Sequence, residues 1–438
     1  MLYLRTSSVR LPEPKTGMAL AGYANRRTLT SVDGHLTANF ACLSDNDSNE
    51  IIVGSIDTLF ISKKLLEDIN KKTGSSSKLL LFSTHTHNAP SLANELPLLG
   101  EVNPVWYAEV LDLLAYEINK LRHRPAVQVT VSYGEKNTDL NVNRRKNSYA
   151  LDYRKLARGK FSFGRKICLA PNKHGVIDHR VRLFSFESET GTRCILWSFA
   201  AHAAFYPNHR SVSADFPGAI REKLHEIYGD QCCIIYVPGL AGSAIPYREQ
   251  GILVSPKTWL ARLLPFHPAL PGYSVKSFKR WTARLMKAIQ SACDNRKPIC
   301  QDGKISLREE IIPNILVSHD RKNGVDLMAS YLSLGANVGL LAYSGEMLGE
   351  WSQYLMHLPL DRIIATGYAG GDCLYIPPSS ELSKGGYEVD GFKFYFSLDG
   401  SFQEDITDCV VKATEGLVSN EQVDNRRSDP GRSYSARY

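Results

Sequence analysis

The sequence lacks any run of 18 apolar residues, the length that a membrane-spanning helix needs. Its start, Met1-Leu2-Tyr3-Leu4-Arg5-Thr6, also lacks the basic and apolar regions of a secretory signal peptide. The nine cysteines are irregularly spaced, without the paired spacings of a zinc finger, which is typical of free thiols in a reducing compartment. No internal repeat or nucleic-acid-binding motif is visible. We therefore expect a cytoplasmic protein that does not bind nucleic acid.

What the sequence does contain is a His-x-His pair at the end of an apolar run, within Leu79-Leu80-Leu81-Phe82-Ser83-Thr84-His85-Thr86-His87-Asn88-Ala89-Pro90. Residues i and i+2 of an extended backbone point to the same face, so His85 and His87 are predicted to lie side by side where the strand ends. Taken alone, such a pair is more often two ordinary surface or core histidines than a metal site.

Three further apolar runs also lead to a polar residue. Residues 194–201 run into His202, residues 338–345 run into Glu346, and residues 362–368 lead through a glycine-rich link to Tyr375. Short apolar runs of this kind predict buried strands of an α/β sheet, in which ligands gather beyond the carboxyl ends of the strands. We therefore expect these side chains to converge with His85. Two imidazoles, a carboxylate and a phenolate suit Zn²⁺, with a position left for water.

A series of ordered motifs then carries a family resemblance. The motifs, in chain order, are Ala21-Gly22-Tyr23-Ala24, Thr84-His85-Thr86-His87-Asn88-Ala89-Pro90, Asn143-Arg144, His202, Ser213-Ala214-Asp215-Phe216-Pro217-Gly218, residues 238–246, Gly345-Glu346, Tyr375-Ile376-Pro377 and Gly385-Gly386-Tyr387-Glu388. In this order they resemble the neutral (non-lysosomal) ceramidase family of zinc amidohydrolases over residues 10–418. Only the catalytic domain has a counterpart, because nothing in the sequence matches the C-terminal β-sandwich domain of that family.

The resemblance implies a role for each matched residue. Zinc is expected to be held by His85, His202, Glu346 and Tyr375, the catalytic residues are His87, Arg144 and Tyr387, and the substrate is expected to contact Gly22, Arg144 and Tyr387. A zinc ion lowers the pKa of bound water towards about 7 and polarises a carbonyl. His87 would pass a proton to the leaving amine, and Arg144 and Tyr387 would stabilise the developing oxyanion. We therefore expect a zinc-dependent amidohydrolase acting on linear amides.

The sequence departs from the family pattern beside two of these histidines. Asn88-Ala89 replaces Ser-Gly, and His202-Ala203-Ala204 replaces His-Pro-Thr. Neither change removes a ligand, but both alter the pocket wall. The substrate is thus either ceramide or a smaller polar or anionic N-acyl compound. Two alternatives stay open: an amide-forming or cyclising biosynthetic enzyme that uses the same zinc site, and a metal-retaining binding protein without turnover.

The periodicity predicts an α/β fold, a mixed β-sheet core flanked by helices in a single large catalytic domain over residues 1–418, followed by a disordered polar tail over residues 419–438. Strands are predicted at 51–59, 79–84, 127–133, 180–186, 195–200, 233–237, 338–343 and 363–367. Helices are predicted at 106–121, 217–228, 275–292, 347–357 and 404–418. Asp215 is expected to be the N-cap of the second helix and is left out of the site.

Two segments suggest contacts with partners. Residues 144–166 contain nine Lys or Arg residues against one Asp, a net charge of +8, whereas the whole chain carries +7. This segment is either a solvated loop or a landing surface for an anionic or carrier-bound substrate, or for a peripheral contact with an anionic membrane. The apolar residues 252–273 are either a lid over an acyl group or buried packing.

Overall fold

The structure is a computed structural model that describes residues 1–427 except 24–26, 48, 75–77, 152–158, 160, 162, 248–269, 271, 300–302, 320–323, 336, 356, 359 and 361. Two of the predicted features fall largely on the excepted residues. The apolar insertion 252–273 lies outside the described residues except at 270 and 272–273, and so does the middle of the basic segment, including Arg154, Lys155, Arg158 and Lys160.

A mixed β-sheet of 14 strands organises the chain, and the predicted α/β fold class is confirmed. Thirteen of these strands follow one another across the sheet in the order Cys233–Pro238, Gly191–Phe199, Arg180–Ser188, Val127–Asn137, Leu2–Arg10, Thr37–Ser44, Glu50–Ile56, Lys78–Ser83, Arg362–Ala369, Val338–Ser344, Gly324–Gly335, Ser306–Val317 and Ser401–Phe402. The fourteenth, Lys297–Pro298, pairs with Val127–Asn137.

All eight predicted strands are present, with ends shifted by a few residues. The prediction omitted the strands Leu2–Arg10, Thr37–Ser44, Ser306–Val317 and Gly324–Gly335, as well as the hairpin that joins Asn141–Leu151 to Phe163–Asn172. That hairpin contains both ends of the basic segment. Arg144 and Arg145 in its first strand are buried, whereas Lys146 is exposed.

Five helices of 11 residues or more cover the described part of the sheet: Lys63–Thr73, Pro104–Arg122, Asp215–Tyr228, Val275–Asp294 and Ile406–Arg427. Three of them begin at an ordinary N-cap, since the side chains of Ser62, Asn103 and Ser274 each accept a hydrogen bond from a backbone N–H of the first turn. The helix Lys63–Thr73 was missed, and the last helix extends beyond position 418. None of the helices among the described residues is long and apolar enough to cross a membrane.

The predicted helix 347–357 is present in a shortened form. Glu346–Met347 instead forms a short parallel strand pair with Tyr375–Ile376, and helical structure begins only at Gly349 and ends at Leu355. The reason is tertiary, because the backbone N–H of Gly349 donates to Ser243 Oγ at 2.9 Å. The Glu346 backbone N–H likewise donates to the carbonyl of Leu374 at 2.7 Å. These contacts hold Glu346 in extended backbone.

The sheet folds over itself, and this brings the functional strand ends together. The strand Cys233–Pro238, at one end of the strand order, contacts strands near its middle, Glu50–Ile56 and Lys78–Ser83 among them. A buried apolar cluster fills the space between the two halves and includes Phe82, Leu196 and Leu340. Three neighbouring pairs are parallel, so the carboxyl ends of their strands share an edge. The residues that follow these strands therefore meet.

A buried ion pair anchors the helix Asp215–Tyr228 to the sheet. Arg221 donates to the fully buried carboxylate of Asp57 at 2.9 Å, and that carboxylate also accepts from the Thr37 backbone N–H at 2.8 Å. Asp57→Ala should lower the free energy of unfolding by about 3–5 kcal/mol, because Arg221 would stay buried without a counter-charge. Urea unfolding measures the change.

The matched control is Asp139→Ala, which removes the partner of Arg284 from an exposed ion pair with a 2.9 Å separation. Solvent screening limits its effect to about 1 kcal/mol or less. Equal losses in the two variants would contradict the structural role given to Asp57.

Candidate metal centre

His85 lies just beyond the strand Lys78–Ser83 and has an unusual backbone conformation. Its φ of 59° is in the left-handed region, which non-glycine residues rarely adopt. Its side chain is nevertheless buried, with 2% of its surface exposed. Such strain persists only where the surrounding structure imposes it, and it concentrates at functional sites.

Two buried imidazoles are held in one tautomer by backbone carbonyls. His85 Nδ1 lies 3.0 Å from the carbonyl oxygen of Leu59, and His202 Nδ1 lies 2.8 Å from that of Ala241. Because a carbonyl oxygen only accepts hydrogen bonds, each Nδ1 carries the proton. Burial lowers the pKa of both histidines well below the ordinary value, so the rings are neutral. Each Nε2 is therefore left with an unshared electron pair.

These two lone pairs meet at one carboxylate. Glu346 Oε2 lies 3.4 Å from His85 Nε2 and 3.2 Å from His202 Nε2. Burial raises the pKa of Glu346, but a protonated carboxyl could donate to only one of the two nitrogens. One cation between them would satisfy all three atoms at once.

The spacing of these atoms fits a tetrahedral metal site. A tetrahedron with bonds of about 2.0–2.1 Å has edges of about 3.3–3.4 Å. The hydroxyl of Tyr375 lies 3.4 Å from His202 Nε2, so it is near enough to be a further ligand. Burial raises the pKa of this phenol well above its ordinary value, and the Glu346 carboxylate adds to the effect, so a nearby cation would be needed to hold it as phenolate.

His87 is close enough to join a different set of ligands. Its Nε2 lies 3.4 Å from His85 Nε2, and the ring nitrogens of His85, His87 and His202 lie within 4.8 Å of one another. His85 and His202 belong to both arrangements. The geometry thus places His87 either at the metal or immediately beside it, and either position keeps it at the reacting group.

Arg144 is fixed next to Tyr375 by a buried network. Its Nη2 donates to the Tyr375 hydroxyl at 3.0 Å and to the Gly242 carbonyl at 2.9 Å, while its Nε donates to Glu388 Oε1 at 2.8 Å. Arg145 donates to the other Glu388 oxygen at 2.9 Å. The charges of both arginines are therefore balanced inside the protein, and neither belongs to a free basic surface.

The other two predicted site residues flank this centre. The Tyr387 ring packs edge-on against Tyr375, with ring centres 5.6 Å apart, and burial raises the pKa of Tyr387, so its hydroxyl keeps its proton and can donate. Gly22 lies against His87, where an added Cβ would stand 2.2 Å from Nδ1. All eight residues named from the sequence are thus near the centre or in contact with one of its members.

Sequence reasoning missed two residues and misplaced a third. Tyr368, with a φ of 63°, donates its hydroxyl to Glu346 Oε2 at 3.4 Å, and its position at the end of an apolar run was the available signal. Glu388 was visible only as the neighbour of Tyr387. Asp215 is not an N-cap, because the cap position is Ala214. Asp215 instead accepts from the backbone N–H groups of Phe205 and Tyr206, both at 2.9 Å, and holds the loop after His202.

Solved structures show the same architecture. A neutral ceramidase from Pseudomonas aeruginosa matches with a TM-score of 0.69 and 12% identity, over 96% of this chain and 75% of that one. A ceramidase complexed with C2 matches with a TM-score of 0.67 and 13% identity, over 100% of this chain and 77% of that one. The chain has the fold of neutral ceramidase. No model of a known protein family matches the sequence, and no curated protein matches it.

The contact between Gly22 and His87 is testable with a matched glycine. Gly22 and Gly17 both have left-handed backbone, with φ of 91° and 93°, but a Cβ at Gly17 would meet nothing within 4 Å. Gly17→Ala should cost about 1–3 kcal/mol of unfolding free energy through backbone strain alone. Gly22→Ala should cost at least about 1 kcal/mol more, because the methyl group must displace the imidazole. Equal costs by urea unfolding would contradict the packing described for His87.

Proposed function

We propose that the protein is a zinc-dependent amide hydrolase in which His85, His202, Glu346 and Tyr375 hold the metal. The observation that carries the proposal is the convergence of two unprotonated imidazole nitrogens on the Glu346 carboxylate at 3.2 and 3.4 Å. Bound zinc supplies a Lewis acid and a water molecule of lowered pKa, and so a nucleophile at neutral pH. The ceramidase fold supports this assignment.

The donor atoms favour zinc over harder cations. Mg²⁺ and Ca²⁺ prefer sites built from oxygen atoms, whereas two imidazoles with a carboxylate are typical of zinc. Each proposed histidine ligand also donates its Nδ1 proton to a backbone carbonyl, as histidines that bind metals usually do. These carbonyls fix the ring orientation before any metal arrives.

Three other side chains are proposed to act on the amide. Neutral His87 is suited to accept a proton from the attacking water and then to give that proton to the leaving amine nitrogen as the C–N bond breaks; burial lowers its pKa, so the ring starts uncharged with one nitrogen free to accept. Arg144 and Tyr387 are suited to donate hydrogen bonds to the developing oxyanion. Glu388 holds the Arg144 guanidinium in place, so that little reorganisation is required when the charge forms.

The substrate proposed is an N-acyl amide, either ceramide-like or smaller and more polar, and the same centre could run amide formation in the reverse direction. His87 and Arg144 favour an enzyme over a metal-retaining binding protein, because metal retention alone needs neither. A cytoplasmic location stays part of the proposal. The eight cysteines in the described part of the chain are free thiols, which supports a reducing compartment.

Metal content separates the two ligand arrangements. The protein purified with zinc should hold about one ion per chain, and His85→Ala, His202→Ala and Glu346→Gln should each lose most of it, since each removes a ligand. His87→Ala should keep the ion. Plasma mass spectrometry of the dialysed variants gives the count, with His123→Ala on the helix end as a control that should not change. Loss of zinc from His87→Ala would favour the three-histidine arrangement.

Turnover tests the roles assigned at the amide. His87→Ala and Arg144→Ala should retain zinc yet lose on the order of 10²-fold or more in kcat on a hydrolysed N-acyl amine, because each removes a group that acts in the transition state. Tyr387→Phe should lose less, since only one hydroxyl is absent. Mass spectrometry of the released amine measures the rates. Unchanged rates in the first two variants would remove both residues from the mechanism.

A further inference from the structure

A second group of side chains lies beside His87. The Tyr23 ring packs edge-on against His87 and His209, with ring centres 5.1 and 5.9 Å apart. The guanidinium carbon of Arg27 lies 3.7 Å from the centre of the Tyr23 ring. The Tyr23 hydroxyl donates to the Ala204 carbonyl at 3.0 Å, which fixes the ring. A single aromatic ring thus separates a cation from His87.

Arg27 is half-buried, and its charge is not balanced by a carboxylate as the charges of the buried arginines are. Among the described residues, no carboxylate oxygen lies within 4.0 Å of Arg27, and its buried Nη1 has no hydrogen-bond partner. Arg144, Arg145 and Arg221, by contrast, each pair with a carboxylate at 2.8–2.9 Å. The buried Nδ1 of His209 also has no partner in the described part of the chain. Buried polar groups without partners are rare in native proteins, and they can mark a position where a polar ligand binds.

The chemistry of Arg27 selects the ligand. A guanidinium is a planar fork that matches a carboxylate with two hydrogen bonds, and stacking on an aromatic ring holds the fork in one plane. One cation balances one negative charge. His87 is assigned above to the leaving amine, so an anion beside it belongs to the amine part of the substrate. The amine part of ceramide carries hydroxyl groups and no anion.

We propose that Arg27, Tyr23 and His209 form a subsite for the carboxylate of an N-acyl amino acid. This inference rests on the proposed function, because it names the substrate class of the same metal centre. It also assigns the recognition of an anionic substrate to Arg27 instead of to the basic segment 144–166. Arg144 and Arg145, at the start of the basic segment, are neutralised by Glu388 and Glu381, whereas Arg27 is available.

Binding of ligands that cannot be hydrolysed tests the subsite apart from turnover. N-dodecylsulfonyl derivatives of glycine, β-alanine and 4-aminobutyrate place a carboxylate at three distances, and the ethanolamine derivative is the neutral reference. Isothermal titration calorimetry on the zinc-loaded protein should show the best acid binding at least about tenfold more tightly than the reference, as a charge-assisted hydrogen bond implies. Arg27→Gln should abolish that preference, and Arg27→Lys should retain part of it because the charge remains.

Arg284→Gln is the control, since Arg284 pairs with Asp139 on an exposed surface and should leave the preference unchanged. Circular dichroism verifies folding, and Arg27→Met, which keeps the alkyl stem on the Tyr23 ring, replaces Arg27→Gln if that variant does not fold. The subsite is overturned if no acid binds better than the reference or if the charge-neutral variant keeps the preference. Selective binding without hydrolysis of the matching dodecanoyl amides would instead overturn the proposed function and leave the subsite standing.

Discussion

Two neutral imidazoles and a carboxylate meet inside the protein, and both imidazoles turn an unprotonated Nε2 towards the carboxylate. Much of the surrounding structure maintains that arrangement. The carbonyls of Leu59 and Ala241 take the Nδ1 protons and aim both Nε2 lone pairs at Glu346. Burying acceptors that face one another costs free energy, which the single hydroxyl of Tyr368 on Glu346 offsets only in part. A metal ion held by these three groups would offset the rest.

The fold imposes backbone strain on two residues of the candidate metal centre. His85 and Tyr368 both have left-handed backbone although neither is glycine, and their rings contact each other with centres 4.6 Å apart. Their strands pair at Ala369 and Phe82, next to the site. Backbone strain of this kind costs about 1–3 kcal/mol per residue and survives only where packing imposes it. The folded-over sheet, with its apolar interior, provides that packing.

The arginines near the site differ in whether a carboxylate balances their charge. Glu388 and Glu381 lie against Arg144 and Arg145, so these arginines are fixed and neutralised before a substrate binds. Fixed donors of this type are the form in which electrostatic stabilisation of a transition state is most effective. Arg27 differs because no carboxylate of the described residues accompanies it. A fixed pair of arginines at the candidate metal centre and an unbalanced cation beside it would together suit an amide with a negative charge on its amine part.

The residues that follow the strands could be predicted from the sequence, whereas the tertiary contacts around them could not. His85, His202 and Glu346 each follow an apolar run, and the carboxyl ends of parallel strands share an edge, so their convergence could be expected from the sequence. The pairing of Arg144 with Glu388 joins residues 244 positions apart and left no local signal. The predicted helix after Glu346 begins later than expected for the same reason, since the contact of Glu346 with Leu374 keeps the first residues extended. Local patterns therefore located the residues of the candidate metal centre, and tertiary contacts orient them.

X-ray absorption at the zinc edge tests the central claim most directly, because it reports the atoms around the metal without requiring a substrate. The spectrum of the zinc-loaded protein should show only nitrogen and oxygen neighbours at about 2.0–2.2 Å, in four- or five-coordinate geometry, with the outer-shell scattering of two imidazoles. The scattering of three imidazoles would move His87 into the ligand set. Sulfur neighbours, or a six-coordinate shell of oxygen alone, would contradict the site described for His85, His202 and Glu346.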